Sequence, residues 1–310
     1  MFERARASAV DLGYAAGWSV VKSAPAGMSA RAFRAVADAA VVRNGGGIRQ
    51  LRKNLRRVVG PSVSELRMDQ IVGDAMRSYS RYWLETFRLP KLDLRAVATE
   101  TDANMTGQGT LTAAIEAGKG AVLALPHSGN WDVAGVWLVD QHGPFTTVAE
   151  RLKPDSLFDR FVAFRESLGM EVIALTGGQR PPVDVLSERL RAGGVVCLLA
   201  DRDLSRNGIA VDFFGEPTRM PGGPALLAAT TGAALLPVHC WYQGDSWGMS
   251  VHSAVQLPDA GLRDQVAAGT QALADTFATN IAEHPADWHM LQRLWLADLP
   301  PRLGKQPEPA

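Results

Sequence analysis

The heptapeptide Pro126-His127-Ser128-Gly129-Asn130-Trp131-Asp132 gathers the residue types that proton transfer needs. It follows the apolar run AVLAL and precedes WDVAGVWLVD, whose apolar spacing is helical. The pattern predicts a strand, a tight turn and a helix, with His127 at the carboxyl end of the strand. Open α/β sheets build their sites at that edge. Gly129 permits the turn, Asn130 can cap the helix, and Asp132 falls in the first helical turn. From there the Asp132 carboxylate can reach back to the His127 ring. A carboxylate on one ring nitrogen fixes the tautomer and leaves the other nitrogen as a base for an attacking hydroxyl. Backbone N–H groups near Gly129–Trp131 could hold a developing oxyanion. The plainer reading is a surface histidine beside a capping Asn and Asp, and the four-residue spacing alone does not separate the two.

Two further polar clusters follow apolar runs. Asp201-Arg202-Asp203-Leu204-Ser205-Arg206-Asn207 comes directly after GVVCLL, again at a strand's carboxyl end. Glu150-Arg151-Leu152-Lys153 follows TTVA, and Arg165 lies one helical segment later. Arg and Lys at these places could hold the phosphates of a cofactor, since Arg offers bidentate geometry. The plainer readings are a polar loop with an internal Arg–Asp pair and a solvated helix start. GDSWG at 244–248 matches the serine-hydrolase G-x-S-x-G pattern, but that elbow needs a strand before it and a helix after it. GMSVHSAV alternates like a strand, so the segment reads as a hairpin turn, and Ser246 as a nucleophile is the weaker alternative. The chain has neither G-x-x-x-x-G-K-[ST] nor H-E-x-x-H, and GGG at 45–47 follows no strand. His239, His252, His284 and His289 are scattered and read as structural. Cys197 and Cys240 read as buried thiols without metal-ligand spacing, and no metal is called for.

The elements that must position these residues fall into two regions. The first ninety residues read as helices: 5–22; 29–43, with Ser29 as N-cap; 48–58; and 62–88, stopped by Pro90. In the third, Ile48, Leu51, Leu55 and Val58 alternate with Arg49, Arg52, Lys53, Arg56 and Arg57, the pattern of an interfacial amphipathic helix. From residue 100, short apolar runs alternate with helical segments. This predicts an α/β fold with a mostly parallel central sheet flanked by helices, behind an N-terminal helical segment. The expected divisions are 1–98, a membrane-association segment packed on the core; 99–300, the α/β core; and 301–310, a disordered tail. Hydrophobic residues make up 46% and charged residues 21% of the 310, a globular composition. Residues 1–60 carry eleven Lys/Arg against three Asp/Glu, a net +8 on a chain of zero net charge. That asymmetry suggests an anionic surface as partner rather than nucleic acid. No apolar run reaches the ~18 residues that span a bilayer, and the N-terminus is a poor signal peptide.

The PHSGNWD block resembles the H-x4-D/E signature of the lysophospholipid acyltransferase superfamily. RNGGGIRQLRKNLRRV, ERLKP, LLADRDLSRNGIAVDFFGEPTRMPGGPALLA and TGAALLPV resemble its lipid A late-acyltransferase branch, in matching order over nearly the whole chain. Within that branch the chain is similar to the phosphatidylinositol mannoside acyltransferases of acid-fast bacteria. The resemblance implies a long-chain acyl-CoA donor such as palmitoyl-CoA. It implies as acceptor a mannose hydroxyl of a phosphatidylinositol mannoside, and a peripheral enzyme on the cytoplasmic face of the plasma membrane, with no bound cofactor. It assigns His127 as the base, Asp132 as its motif partner, and Asp201 to an acidic catalytic position where the family carries Glu. Arg165, Glu150, Arg202, Asn207 and Thr230 fall to the substrate or acyl-CoA site; Thr230 reads equally well as a helix end. Lipid A-type lauroyl or myristoyl transfer, a serine esterase using Ser246, and a non-catalytic lipid-binding protein are the alternatives.

Overall fold

All five residues of Ala121–Leu125 are buried, as a strand covered on both faces must be. Val122 and Ala124 face one apolar cluster, while Ala121, Leu123 and Leu125 face another, so successive side chains feed opposite cores. This strand is the centre of the computed structural model, which describes residues 24–151, 155–178, 180–203 and 207–299. The expected helix at 5–22, the tail at 301–310, Leu152, Lys153 and the stretch 204–206 lie outside the described residues.

In chain order the helices are α1 (Ala26–Arg43), α2 (Gly46–Val59), α3 (Glu65–Arg88), α4 (Leu94–Ala103), α5 (Gln108–Glu116), α6 (Trp131–His142), α7 (Asp155–Ser167), α8 (Pro182–Arg191), α9 (Gly223–Thr231) and α10 (Leu262–Glu283). The strands are β1 (Met105–Thr106), β2 (Ala121–Leu125), β3 (Thr146–Ala149), β4 (Glu171–Ala174), β5 (Val195–Leu199), β6 (Ile209–Phe213), β7 (Glu216–Met220), β8 (Ala234–Gln243) and β9 (Ser246–Val251). Seven strands form one sheet in the order β1-β9-β8-β2-β5-β3-β4. It is parallel from β8 through β4; β9 turns back antiparallel on β8, and β1 runs alongside β9. The expected α/β architecture is therefore present. β6 and β7 form a separate antiparallel hairpin; β7 was not expected.

Side chains from α8, α9, α10 and residues 288–295 fill one core, and those of α4 to α7 fill the other. Helices α1 to α3 share a third cluster, around Leu51, Leu55 and Met68. Two helix starts differ from expectation. α1 begins at Ala26 after Pro25, which supplies the entry angle, and Ser29 is buried inside the first turn rather than capping it. α3 begins at Glu65, where Ser64 Oγ accepts from the Arg67 N–H at 3.3 Å.

The basic helix α2 also departs from its expected role. Ile48, Leu51 and Leu55 are buried within the protein rather than offered to lipid. Arg52 pairs with Glu65 and Asp69, and Arg56 with Glu65. Arg57 reaches Glu216 at 2.9 Å and Asp298 at 2.8 Å, with its guanidinium 4.6 Å from the Trp295 ring centroid. The amphipathic pattern was real, but its partners are distant parts of the same chain.

Segment 285–298 runs across this N-terminal layer to the edge of the sheet. Fully buried Asn54 ties it down, donating from Nδ2 to the carbonyls of Met290 and Gln292, both at 2.8 Å. Asn54→Ala would leave two carbonyls unpaired under cover, at a cost of about 1–3 kcal/mol. Thermal unfolding should show a Tm several degrees lower; an unchanged Tm would mean that the segment is held elsewhere.

Candidate active site

Strand β2 ends at Leu125, level with Leu199 of β5, and the Ala200 N–H donates to the Leu125 carbonyl at 2.8 Å. Two residues further along each chain, His127 and Asp201 meet. His127 Nδ1 lies 2.5 Å from Asp201 Oδ1, and the His127 backbone N–H donates to Oδ2 at 3.0 Å. Trp288 Nε1 donates to the same Oδ2 at 2.9 Å. Asp201 is fully buried while the His127 side chain is 23% exposed, so the dyad has one dry end and one open end. Burial by itself would raise the Asp201 carboxyl. The His127 ring beside it, with hydrogen bonds from His127 and Trp288, outweighs burial and holds the carboxyl below its ordinary value. A carboxylate facing Nδ1 requires the ring proton there, which leaves the Nε2 lone pair as the base.

Local sequence explains why the loop can do this. Gly129 has φ +58, and a Cβ there would sit 2.6 Å from the backbone carbonyl carbon of Cys240, so no other residue fits the turn. Asn130 caps α6, its Oδ1 accepting from the N–H groups of Asp132 and Val133, both at 3.1 Å. Its Nδ2 donates to Glu85 Oε2 at 2.7 Å, and Trp247 Nε1 donates to the same oxygen at 2.8 Å. The capping role read from sequence is thus present and is tied to α3. Of the N–H groups near Gly129–Trp131 read as oxyanion donors, that of Gly129 is already spent on the Asp287 carbonyl at 2.9 Å.

Asp132 does not hold His127. The first turn of α6 points its carboxylate toward α7 and α3 instead, where Oδ1 accepts from Arg165 Nε at 2.8 Å and Oδ2 from Tyr82 OH at 3.0 Å. Asp132 is 2% exposed, so this is a buried pair. Burial opposes the Arg165 charge, but Asp132 and Tyr82 outweigh it and keep the guanidinium protonated. Burial, and next the Asp132 charge, push the Tyr82 phenol well above its ordinary value, so it remains a neutral donor.

Asp132 and Arg165 also line a largely apolar cavity against the sheet, together with Leu111, Leu123, Leu138, Phe145, Met170 and Val238 among others. Trp131 shares that wall, and its ring centroid stands 5.6 Å from that of His127. Base and cavity are neighbours.

The remaining expected residues divide. Arg202 and Glu150, at the ends of β5 and β3, form an ion pair of 3.1 Å beside Asp201. Asn207 is exposed in the loop before β6. Thr230 is not near His127: α9 runs back along the sheet, so its last turn lies at the amino ends of β2 and β8, where Thr230 Oγ1 donates to the Leu226 carbonyl at 2.8 Å. The nucleophile reading of Ser246 also fails. Ser246 opens β9 in a strand–turn–strand hairpin, and its hydroxyl accepts from Asn104 Nδ2 at 3.1 Å. His239, His252 and His284 are structural, as read. His239 packs against Trp241 and His284, each with its ring centroid 5.7 Å away, and burial lowers it to about 3. His252 bonds to Ser250 and Asn280.

His289 does more than its sequence reading gave it. Its N–H donates to the His127 carbonyl at 2.8 Å, and its Nε2 meets Ser78 Oγ at 2.9 Å. Trp288, His289, Glu85 and Tyr82 are the supporting residues that sequence reasoning missed. No local motif marks them; Trp288 lies 87 positions from the carboxylate it serves. Among the described residues, no group of three or more His, Cys, Asp or Glu is arranged to hold a metal, and no helix is long and apolar enough to cross a membrane.

Comparison with known proteins agrees with this geometry. A phosphatidylinositol mannoside acyltransferase of Mycobacterium tuberculosis H37Rv is 57% identical over 292 residues, covering 94% of this chain and 90% of that protein. One of Mycolicibacterium smegmatis is 57% identical over 289 residues, covering 93% and 92% respectively. Residues 4–297 match the family model of bacterial lipid A biosynthesis acyltransferases, so the chain belongs to the bacterial lipid A biosynthesis acyltransferase family.

Proposed function

We propose that this acyltransferase moves a long-chain acyl group, palmitoyl in the simplest case, from acyl-CoA to a mannose hydroxyl of a phosphatidylinositol mannoside, with His127 as general base. The observation that carries this is the His127 ring, 23% exposed, held through Nδ1 by a buried carboxylate and next to Trp131 of the apolar cavity's wall. The names of the mycobacterial relatives support the mannoside acceptor. The family model's name keeps a lipid A-type acceptor as the second reading.

Nε2 removes the proton from the sugar hydroxyl as its oxygen attacks the thioester carbonyl. The C–S bond then breaks, and the imidazolium returns the proton to the departing thiolate. Asp201 stabilises the imidazolium between these steps. A base positioned in this way contributes about 10²–10⁴ in rate. The acyl chain occupies the cavity, where each buried methylene contributes about 0.8 kcal/mol. We assign the CoA moiety to the side of the site that carries Arg202, Glu150 and Asn207, at and beyond the ends of β3 and β5.

We further propose that segment 1–98 brings the protein to the cytoplasmic face of the plasma membrane, where acyl-CoA is present. The support comes from α1 rather than from α2, whose cations largely pair within the protein. Met28, Val36 and Val42 of α1 are 62%, 68% and 85% exposed, and Arg31, Arg34 and Arg43 are exposed beside them. Basic residues near an anionic leaflet contribute about 1 kcal/mol each.

His127→Ala should lower acyl transfer by at least about 10² while the protein still folds, with a reduced Tm because the buried Asp201 loses a donor; mass spectrometry of products from palmitoyl-CoA and a panel of glycolipid acceptors provides the readout. Turnover near wild type would end the base assignment, and acylation of lipid A alone would favour the second reading. Asp201→Asn isolates the charge. A carboxyl held below its ordinary value of 3.8 contributes stability that is full above that value and lost as pH falls through it. The Tm deficit of Asp201→Asn should therefore be largest near neutrality and shrink toward about pH 3, and a pH-independent deficit would contradict a charged Asp201. Reversing Arg31, Arg34 and Arg43 to Glu should abolish flotation with anionic vesicles while leaving binding to neutral ones unchanged. Flotation indifferent to lipid charge would remove the membrane assignment.

A further inference from the structure

Buried polar groups in native proteins almost always have hydrogen-bond partners, so a group without one asks for an explanation. The carboxylates around His127 all have partners. Asp201 accepts from three N–H groups, Asp132 from Arg165 and Tyr82, and Glu85 from Asn130, Trp247 and Arg81. The indole N–H of Trp131 is buried and has none.

This orphan sits in a distinctive place. Trp131 is the first residue of α6 and lines the apolar cavity. Its ring lies 4.1 Å from that of Tyr82 and 5.6 Å, nearly perpendicular, from that of His127. Clamped between them, with its backbone fixed by the Asn130 cap, the indole is not free to swing toward another acceptor. It borders both the space assigned to the acyl chain and the base assigned to the hydroxyl. The atom that belongs between those two is the thioester carbonyl.

Several N–H groups of the turn are already spent, and those of Asn130 and Trp131 are the backbone alternatives to the indole. The His127 N–H is spent on Asp201, that of Ser128 on the Pro126 carbonyl, that of Gly129 on Asp287, and those of Asp132 and Val133 on Asn130 Oδ1. Ser128 Oγ is a second orphan next to His127, but Ser128 is not part of the cavity wall.

We propose that Trp131 Nε1–H donates to the thioester carbonyl oxygen of the acyl donor and holds the oxyanion that forms as the hydroxyl attacks. This makes Trp131 a catalytic residue of the reaction proposed above, and it rests on that reading. A donor fixed in advance and shielded from water stabilises charge that appears only in the transition state.

The test uses two acyl-CoA analogues of equal chain length. In one, a methylene replaces sulfur and the carbonyl is kept; in the other, a thioether lacks the carbonyl. By titration calorimetry, the wild-type protein should bind the ketone about tenfold tighter than the thioether, as one hydrogen bond implies. Trp131→Phe should abolish that preference while keeping thioether affinity, and should lower kcat about 10²–10³-fold with little change in KM. Ser128→Ala and His127→Ala should both retain the preference. Should Trp131→Phe fold poorly, replacing Trp131 by its benzothiophene isostere removes the N–H and keeps the shape, with the same expectation. A ketone preference that survives either Trp131 replacement, or that disappears in Ser128→Ala, overturns the proposal. Full turnover by His127→Ala would instead refute the base reading, and the calorimetric comparison would still decide the indole.

Discussion

A carboxylate removed from water is unstable unless its oxygens find donors, and most of the site can be understood as the supply of donors to Asp201. Two come from His127, which stands level with it because β2 and β5 are parallel and in register. The third comes from Trp288, on a segment that α2 and α3 help to hold at the sheet edge. Sheet register, the N-terminal helices and the C-terminal segment therefore converge on one buried charge. The charge in turn fixes the ring tautomer that makes Nε2 basic.

The two acidic residues of the site are divided in function by the elements that carry them. Asp201 extends from a strand and meets the imidazole. Asp132, on the first turn of a helix, is rotated away from it and neutralises Arg165 in the cavity wall. An ion pair beside an otherwise apolar hollow is expensive in desolvation, and Tyr82 supplies the extra hydrogen bond that offsets part of the cost. Through Trp131, adjacent in sequence, this buried pair also stiffens the wall nearest His127.

The strand–turn–helix around His127 was legible because apolar period, a glycine and a capping Asn all signalled the same backbone. Direction around a helix was not legible from spacing, which is why Asp132 was given the partner that belongs to Asp201. Parallel register is a long-range property, so a shared edge for His127 and Asp201 could be suspected from two strand ends but not aligned. Asp201, one methylene shorter than the family's Glu, nevertheless reaches Nδ1 at 2.5 Å. The β6–β7 hairpin was missed because its turn places Phe214 at φ +54 ahead of Gly215 at φ +74. Both central residues have positive φ, yet the usual Asn-Gly label is missing. The cations of α2 looked destined for lipid because Glu216 and Asp298 are far away in sequence.

Because the donor from Trp288 enters the site from a late stretch of the chain, the dyad is assembled last during synthesis. A polypeptide that has left the ribosome only as far as β9 already contains His127 and Asp201 but lacks the indole that donates to Asp201 and the backbone clasp of Ser128 with Trp288. Such an intermediate has the sheet without a settled imidazole. A product broken off earlier retains the signature motif without the contacts that complete the surroundings of Asp201.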